Sequence, residues 1–401
     1  MNILKKAFCR TYQFAFHLAL PVLPYREPKI LKNVEQIAEE VLKLDKKCVI
    51  LITDEFLRTS GATQTLEKSL DDSRIKVIVY DKTRPNPTVE NVDDVYKLYT
   101  QNNCECIIAF GGGSSMDCAK ASGARIAHKG KSIDKLKGDL RVFKKLPPLF
   151  VVPTTAGTGS EVTVTAVITD DKKKHKYTMN SFPLIPHYAV LDPKVTFTLP
   201  KHLTATTGMD ALTHAVEAYI GRSTSKETRL LSKQAVKLIF DNILVAYNDG
   251  YNQNARRNML TAAYKAGIAF SKSYVGYIHA VAHSFGGQYN TPHGLANSVI
   301  LPIFLREYGV AIHKKIYELA VYSGIAQKDD TYEVAFEKFV SKIEQYNEQM
   351  EIPKKLKGEN KNDIPKMAEH ADKEGNPLYP VPVLMDREKL TQMYYKVANW
   401  N

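Results

Sequence analysis

Three shortages narrow what this chain can be: few cysteines, no long apolar run, and no repeat. Five cysteines in 401 residues (Cys9, Cys48, Cys104, Cys106, Cys118) form no Cys-x-x-Cys pair. A thiolate zinc site and a disulfide framework are therefore not expected, and reduced core thiols in a cytoplasm are. No run of about 18 apolar residues occurs, so no membrane-spanning helix and no membrane partner are expected. No period recurs, which argues against a solenoid. Lys5, Lys6 and Arg10 precede an apolar run over residues 14–23 that mimics a signal peptide, but Gln13 and His17 interrupt it and no small-x-small cleavage site follows. The segment is read as part of the folded domain.

With 44% hydrophobic and 24% charged residues, the chain has the composition of a globular protein of two domains. Its net charge of +12 is spread along the sequence. There are no aromatic-interleaved basic repeats and no zinc fingers, so no nucleic-acid partner is expected, although a basic surface attracts an anionic dinucleotide. Lys172–Lys174, with His175 and Lys176 behind them, read at first as a solvated hairpin tip.

From residue 47 onward, short β-branched runs (48–53, 76–80, 106–110, 150–153) alternate with helical patterns such as 92–101. That alternation predicts a parallel sheet covered by helices. Past residue 199 the pattern turns helical over 203–219, 226–247, 255–270 and 314–322. An α/β domain over 1–195 and an all-α domain over 196–401 follow, divided where Pro193 and Pro200 punctuate the chain. Residues 353–383, rich in Lys, Pro, Asn and Gly, are expected to wrap the surface before a last helix at 386–399.

Two loops after strands have the chemistry of phosphate cradles. Gly111-Gly112-Gly113-Ser114-Ser-Met-Asp117 lets the backbone approach an anion at a helix N-terminus, although it is not the Gly-x-Gly-x-x-Gly fingerprint. Pro153-Thr154-Thr155-Ala-Gly-Thr158-Gly-Ser160-Glu161 brings hydroxyls and glycines to the end of a second strand, where open α/β sheets bind ligands. Asp54 ends another strand, able to accept from ribose hydroxyls or to cap the next helix.

The helical half carries the metal-type residues. Gly208-Met-Asp210-Ala-Leu-Thr-His214-Ala-Val-Glu-Ala-Tyr219 sets an aspartate and a histidine one helical turn apart. His279, His283 and His293 follow within fifteen residues. A carboxylate with neutral imidazoles and no thiolate is a first shell for catalytic Fe²⁺ or Zn²⁺. Spacing alone does not choose between His279 and His283.

These four motifs, in this order, resemble the iron-containing (group III) alcohol dehydrogenases from about Pro28 through Asn376-Pro377. The resemblance implies a dehydroquinate synthase-like architecture: a dinucleotide-binding α/β domain followed by a helical metal-binding domain. It places the metal on Asp210, His214, His279 and His293, leaving His283 near the metal as a catalytic proton-relay candidate. It also gives Asp54 to the ribose of NAD, Asn86 to the nucleotide, and Lys176 to the cofactor, which revises the tip reading for that lysine. Tyr274 and Tyr277 stand where the family commonly has Gly and Leu, and Lys272 where Asn is common. Larger side chains there are expected to narrow or polarise the substrate pocket.

The function expected is NAD(H)-linked interconversion of a small alcohol and its aldehyde at Fe²⁺, with Zn²⁺ possible, by a cytoplasmic homo-oligomer, a dimer. One rival keeps the fold: a hydroxyacid–oxoacid transhydrogenase or a lactaldehyde-type reductase, for which Arg256-Arg257 are the candidate cations. Others are a dehydroquinate synthase-type lyase and a basic module without catalysis.

Overall fold

The computed structural model describes residues 1–19, 23–171 and 175–401, so the expected tip at 172–174 lies outside the described residues. Contacts divide the chain into two compact units, Pro24–Leu199 and a second that joins Met1–Leu23 to Pro200–Asn401. Residues 1–23, expected with the α/β half, group with the helical one. The reason is visible on helix α1 (Ile3–Ala19). Its Arg10 donates to the carbonyls of Val381 and Pro382, and its Gln13 to those of Pro377 and Tyr379.

The unit 24–199 alternates as the sequence predicts: β1 (Lys29–Leu31), α2 (Gln36–Lys43), β2 (Cys48–Ile52), α3 (Glu55–Thr59), α4 (Gln64–Asp72), β3 (Lys76–Tyr80), α5 (Val89–Gln101), β4 (Cys106–Gly111) and α6 (Gly113–Ala127). Then come β5 (Gly138–Asp139), β6 (Leu149–Pro153), β7 (Thr165–Asp170), β8 (His175–Asn180) and β9 (Tyr188–Val190). Six strands form a parallel sheet in the order β1-β9-β6-β4-β2-β3, and β7 and β8 pair antiparallel in a smaller sheet with β5. Along β2, successive residues point to opposite faces. Ile50 packs in one apolar cluster with Val92 and Met116, Val49 and Leu51 in the other with Ile37 and Leu66. Burial on both faces is why β2, β4 and β6 read as unbroken apolar runs. Strand order reverses between β2 and β4, which makes their carboxyl ends the switch point where such sheets bind ligands.

The other unit contains α7 (Lys201–Ile220), α8 (Lys226–Asn248), α9 (Gln253–Ser273), α10 (Tyr277–Tyr289), α11 (His293–Tyr308), α12 (His313–Ser323) and α13 (Tyr332–Gln349). A two-stranded parallel pair, β10 (Leu356–Gly358) with β11 (Ala398–Trp400), accompanies α14 (Ile364–Gly375) and α15 (Arg387–Val397). Helix α14 corrects the expectation of a surface wrap over 353–383. Ile364, Met367, Ala368 and Ala371 are buried at helical spacing, and the early proline fits a first turn. Among the described residues no single helix is long and apolar enough to cross a membrane. All five cysteines are buried and free.

Candidate metal centre

Helix α7 is buried over most of its length, so each of its polar side chains requires a partner. Asp210 and His214 lie one turn apart on it, and Glu217 continues the same face. Helix α10 contributes His279 and His283, and α11 opens on His293 just after Pro292. One donor atom from each of Asp210, His214, His279 and His293 lies within 4.8 Å of all the others. His279 Nε2 is 3.8 Å and His293 Nε2 3.5 Å from the same Asp210 oxygen. The His214 ring is stacked between Phe270 and His279, at 4.2 and 4.4 Å between centroids.

Glu217 fixes the orientation of His279. Its Oε2 lies 2.6 Å from His279 Nδ1, and its Oε1 accepts from the Ile278 N–H at 3.0 Å. Gly276 makes this approach possible, because a Cβ there would sit 2.5 Å from Glu217 Oε1. With Nδ1 engaged, His279 Nε2 faces the cluster, buried and without a protein hydrogen-bond partner. Burial, reinforced by His214, His293 and His283, drives the His279 pKa well below its ordinary value, so the ring is neutral as a ligand must be. Burial pushes Glu217 up to about 7, against the pull of the Gly276, Ile278 and His279 N–H groups. Asn297, one turn after His293, donates to Asp210 at 2.7 Å and lies 3.0 Å from His293 Nε2.

An orphaned buried imidazole nitrogen, two further imidazoles and a carboxylate fit a divalent ion of borderline softness. His283 is placed differently. It is 41% exposed, stacks on His293 at 5.1 Å, and its Nδ1 lies 2.6 Å from Glu374 Oε1, which also accepts from Tyr379. Glu217 and Glu374 were both absent from the sequence candidates. The i, i+4, i+7 spacing of Asp210, His214 and Glu217 could have revealed the first; the second stands on the unanticipated α14. Tyr277, expected near the pocket, is fully buried, its hydroxyl bonded to Asn376 and the Met385 carbonyl. Tyr274 holds φ 65° at the end of α9, a conformation glycine favours. Arg256 is buried, donating to the Gly250 carbonyl and Thr204, which commits the rival reading's first cation to the fold.

In the α/β unit, Asp54, the Gly111–Gly113 turn and the Thr154–Ser160 loop follow β2, β4 and β6, three adjacent parallel strands. Gly111 has φ 154°, and a Cβ on it would meet Ser115 Oγ at 2.4 Å. A Cβ on Gly113 would meet Thr158 at 2.9 Å, and one on Gly112 would meet Thr155 at 3.4 Å, so the two loops are packed together. Asn86, in the left-handed region, donates its N–H to Ser114 and accepts from Lys176 Nζ at 2.8 Å. That joins three of the expected nucleotide residues. Thr154 and Ser160 are buried, and Ser160 donates to Asp117 at 2.9 Å, which pins its loop. Asp54 caps α3 through the Leu57 N–H at 2.9 Å.

A parallel sheet with two glycine-rich loops at the carboxyl ends of adjacent strands, together with an aspartate and three histidines on buried helices, defines a metal-dependent dehydrogenase architecture. Family models described as iron-containing alcohol dehydrogenase and as the C-terminal part of the Fe-containing alcohol dehydrogenase family match residues 31–193 and 204–398. Alcohol dehydrogenase 4 of Saccharomyces cerevisiae is 36% identical over 343 residues, 84% of this chain and 88% of that one. The NAD-dependent methanol dehydrogenase of Bacillus methanolicus is 33% identical over 80% of this chain and 84% of that one. The solved alcohol dehydrogenase from Oenococcus oeni superimposes with a TM-score of 0.88 at 34% identity, covering 93% and 100% of the two chains. The chain belongs to the iron-containing alcohol dehydrogenase family and is an alcohol oxidoreductase.

Proposed function

We propose that the enzyme interconverts a small primary alcohol and its aldehyde with NAD(H), using Fe²⁺, or Zn²⁺ in its place, held by Asp210, His214, His279 and His293. The observation that carries this reading is the convergence of those four donors within 4.8 Å around a buried, partnerless His279 Nε2. When bound, the metal supplies Lewis acidity and the nicotinamide a hydride acceptor. The chain's own residues do the rest. Glu217 keeps the His279 proton on Nδ1, so that Nε2 presents its lone pair to the cluster. His283, its Nδ1 2.6 Å from Glu374 and its ring half-exposed beside His293, is the side chain proposed to pass the alcohol's proton towards water. Asp54 supports NAD over NADP, because a carboxylate repels a 2′-phosphate.

The test is a spectrophotometric screen of alcohols and aldehydes with NAD(H) and NADP(H), on protein reloaded separately with Fe²⁺ and Zn²⁺. Turnover that requires the metal and prefers NAD is expected. Protein that binds no stoichiometric metal, or that turns over equally well without it, defeats the reading.

A further inference from the structure

Helix α1 precedes the residues matched by the family models, so the chemistry shared with relatives gives it no task. One side of it is anchored. Cys9 and Gln13 are buried, Gln13 and Arg10 bond to carbonyls of residues 377–382, and Lys5 pairs with Asp372 at 3.1 Å. The opposite side is apolar and uncovered. At 3.6 residues per turn, Leu4, Phe8 and Tyr12 form one row, and Ile3, Phe14 and Leu18 fall in the adjoining one. Their exposure runs from 43% at Tyr12 to 82% at Ile3. A shallow groove continues this surface, with Ile3 and Ala7 facing Pro382 and Leu384. An exposed apolar area of this kind signals a partner.

Charge identifies the partner. Residues 1–26 contain no aspartate or glutamate. On the helical projection Lys6 borders one edge of the apolar arc, beside the carbonyl-bound Arg10, and Lys5, paired with Asp372, borders the other, so the edge charge rests chiefly on Lys6. A second copy of the same arc would set cations against cations, whereas an anionic lipid surface offers both a hydrocarbon boundary for the arc and counter-charge for its edges. We infer that α1 docks the enzyme peripherally on anionic membranes, lying in the interface with Leu4, Phe8, Phe14 and Leu18 inserted. This departs from the expectation of no membrane partner; it calls for a helix lying in the interface and not for one that spans it.

The experiment is cosedimentation of the full-length enzyme with vesicles of phosphatidylcholine alone or with phosphatidylglycerol added. Binding only to the anionic vesicles is expected, weakening as salt rises. Leu4→Ser/Phe8→Ser should lower partitioning about tenfold or more, the scale of losing two buried apolar side chains. Lys6→Glu should weaken binding without touching the arc, and both variants should retain wild-type alcohol oxidation. The inference is overturned if the wild type ignores anionic vesicles, or if the serine variant binds them as well as the wild type does. It is equally overturned if light scattering shows a dimer that Leu4→Ser/Phe8→Ser converts to monomers, since a second copy then covers the face.

Discussion

Glu217 touches no substrate in this reading, yet the orientation of His279 depends on it. Glu217→Gln keeps the shape but weakens the hold on Nδ1, and metal affinity is expected to fall about 10- to 100-fold, read by competition with a chelator. Unchanged affinity would detach Glu217 from the centre. His279→Ala or His293→Ala should lose stoichiometric metal by elemental analysis. His283→Ala should keep the metal and slow alcohol oxidation about 10²-fold. The helical spacing of Asp210 and His214 was legible in the sequence because two residues one turn apart share a face. The choice between His279 and His283 was not, since both sit on α10 and differ only in their carboxylate partners and burial. Those partners come from α7 and α14, and no local pattern reports a contact across 62 or 91 residues.

The turn between β4 and α6 is built so tightly that a single methyl group is not tolerated. Gly111→Ala is expected to destabilise the protein by about 1–3 kcal/mol in chemical denaturation, through backbone strain and the collision with Ser115. Asp54→Gly should narrow the preference for NAD over NADP, roughly 10- to 100-fold in the parent, while costing a few tenths of a kcal/mol through the lost cap of α3. Equal use of both cofactors by the parent would remove Asp54 from the ribose. Strands β2, β4 and β6 were legible because burial on both faces makes them continuous apolar runs, and β3 because it is β-branched, whereas the three-residue β1 and β9 were too short to stand out. Helices α13 and α14 were not: α13 carries many charged residues around its apolar stripe, and α14 lies within Lys- and Pro-rich sequence that resembles a loop.

Across the whole molecule, buried charges shape the response to pH. Glu161 is buried near Lys120, and burial raises its pKa to about 7 while lowering that of Lys120 to about 8. A carboxyl whose folded pKa is raised binds its proton more tightly in the native state than in the unfolded one. Its contribution is therefore complete below about 4.5 and is lost as pH rises through about 7. Glu161→Gln should flatten that decline, worth on the order of 1–3 kcal/mol, in melting temperatures recorded across the window. An identical slope in the variant would assign the decline to other groups. The two-unit division carries a further consequence. Every proposed metal donor lies within residues 200–401, and every proposed nucleotide residue within 24–199. Neither set borrows a side chain from the other, which predicts that ion and nucleotide load in either order. By reciprocity, any favour one shows the other is a measurable coupling free energy. Calorimetric titration of NAD into metal-free and metal-loaded enzyme gives its value, and equal dissociation constants would mean that each half fills its site without reference to the other.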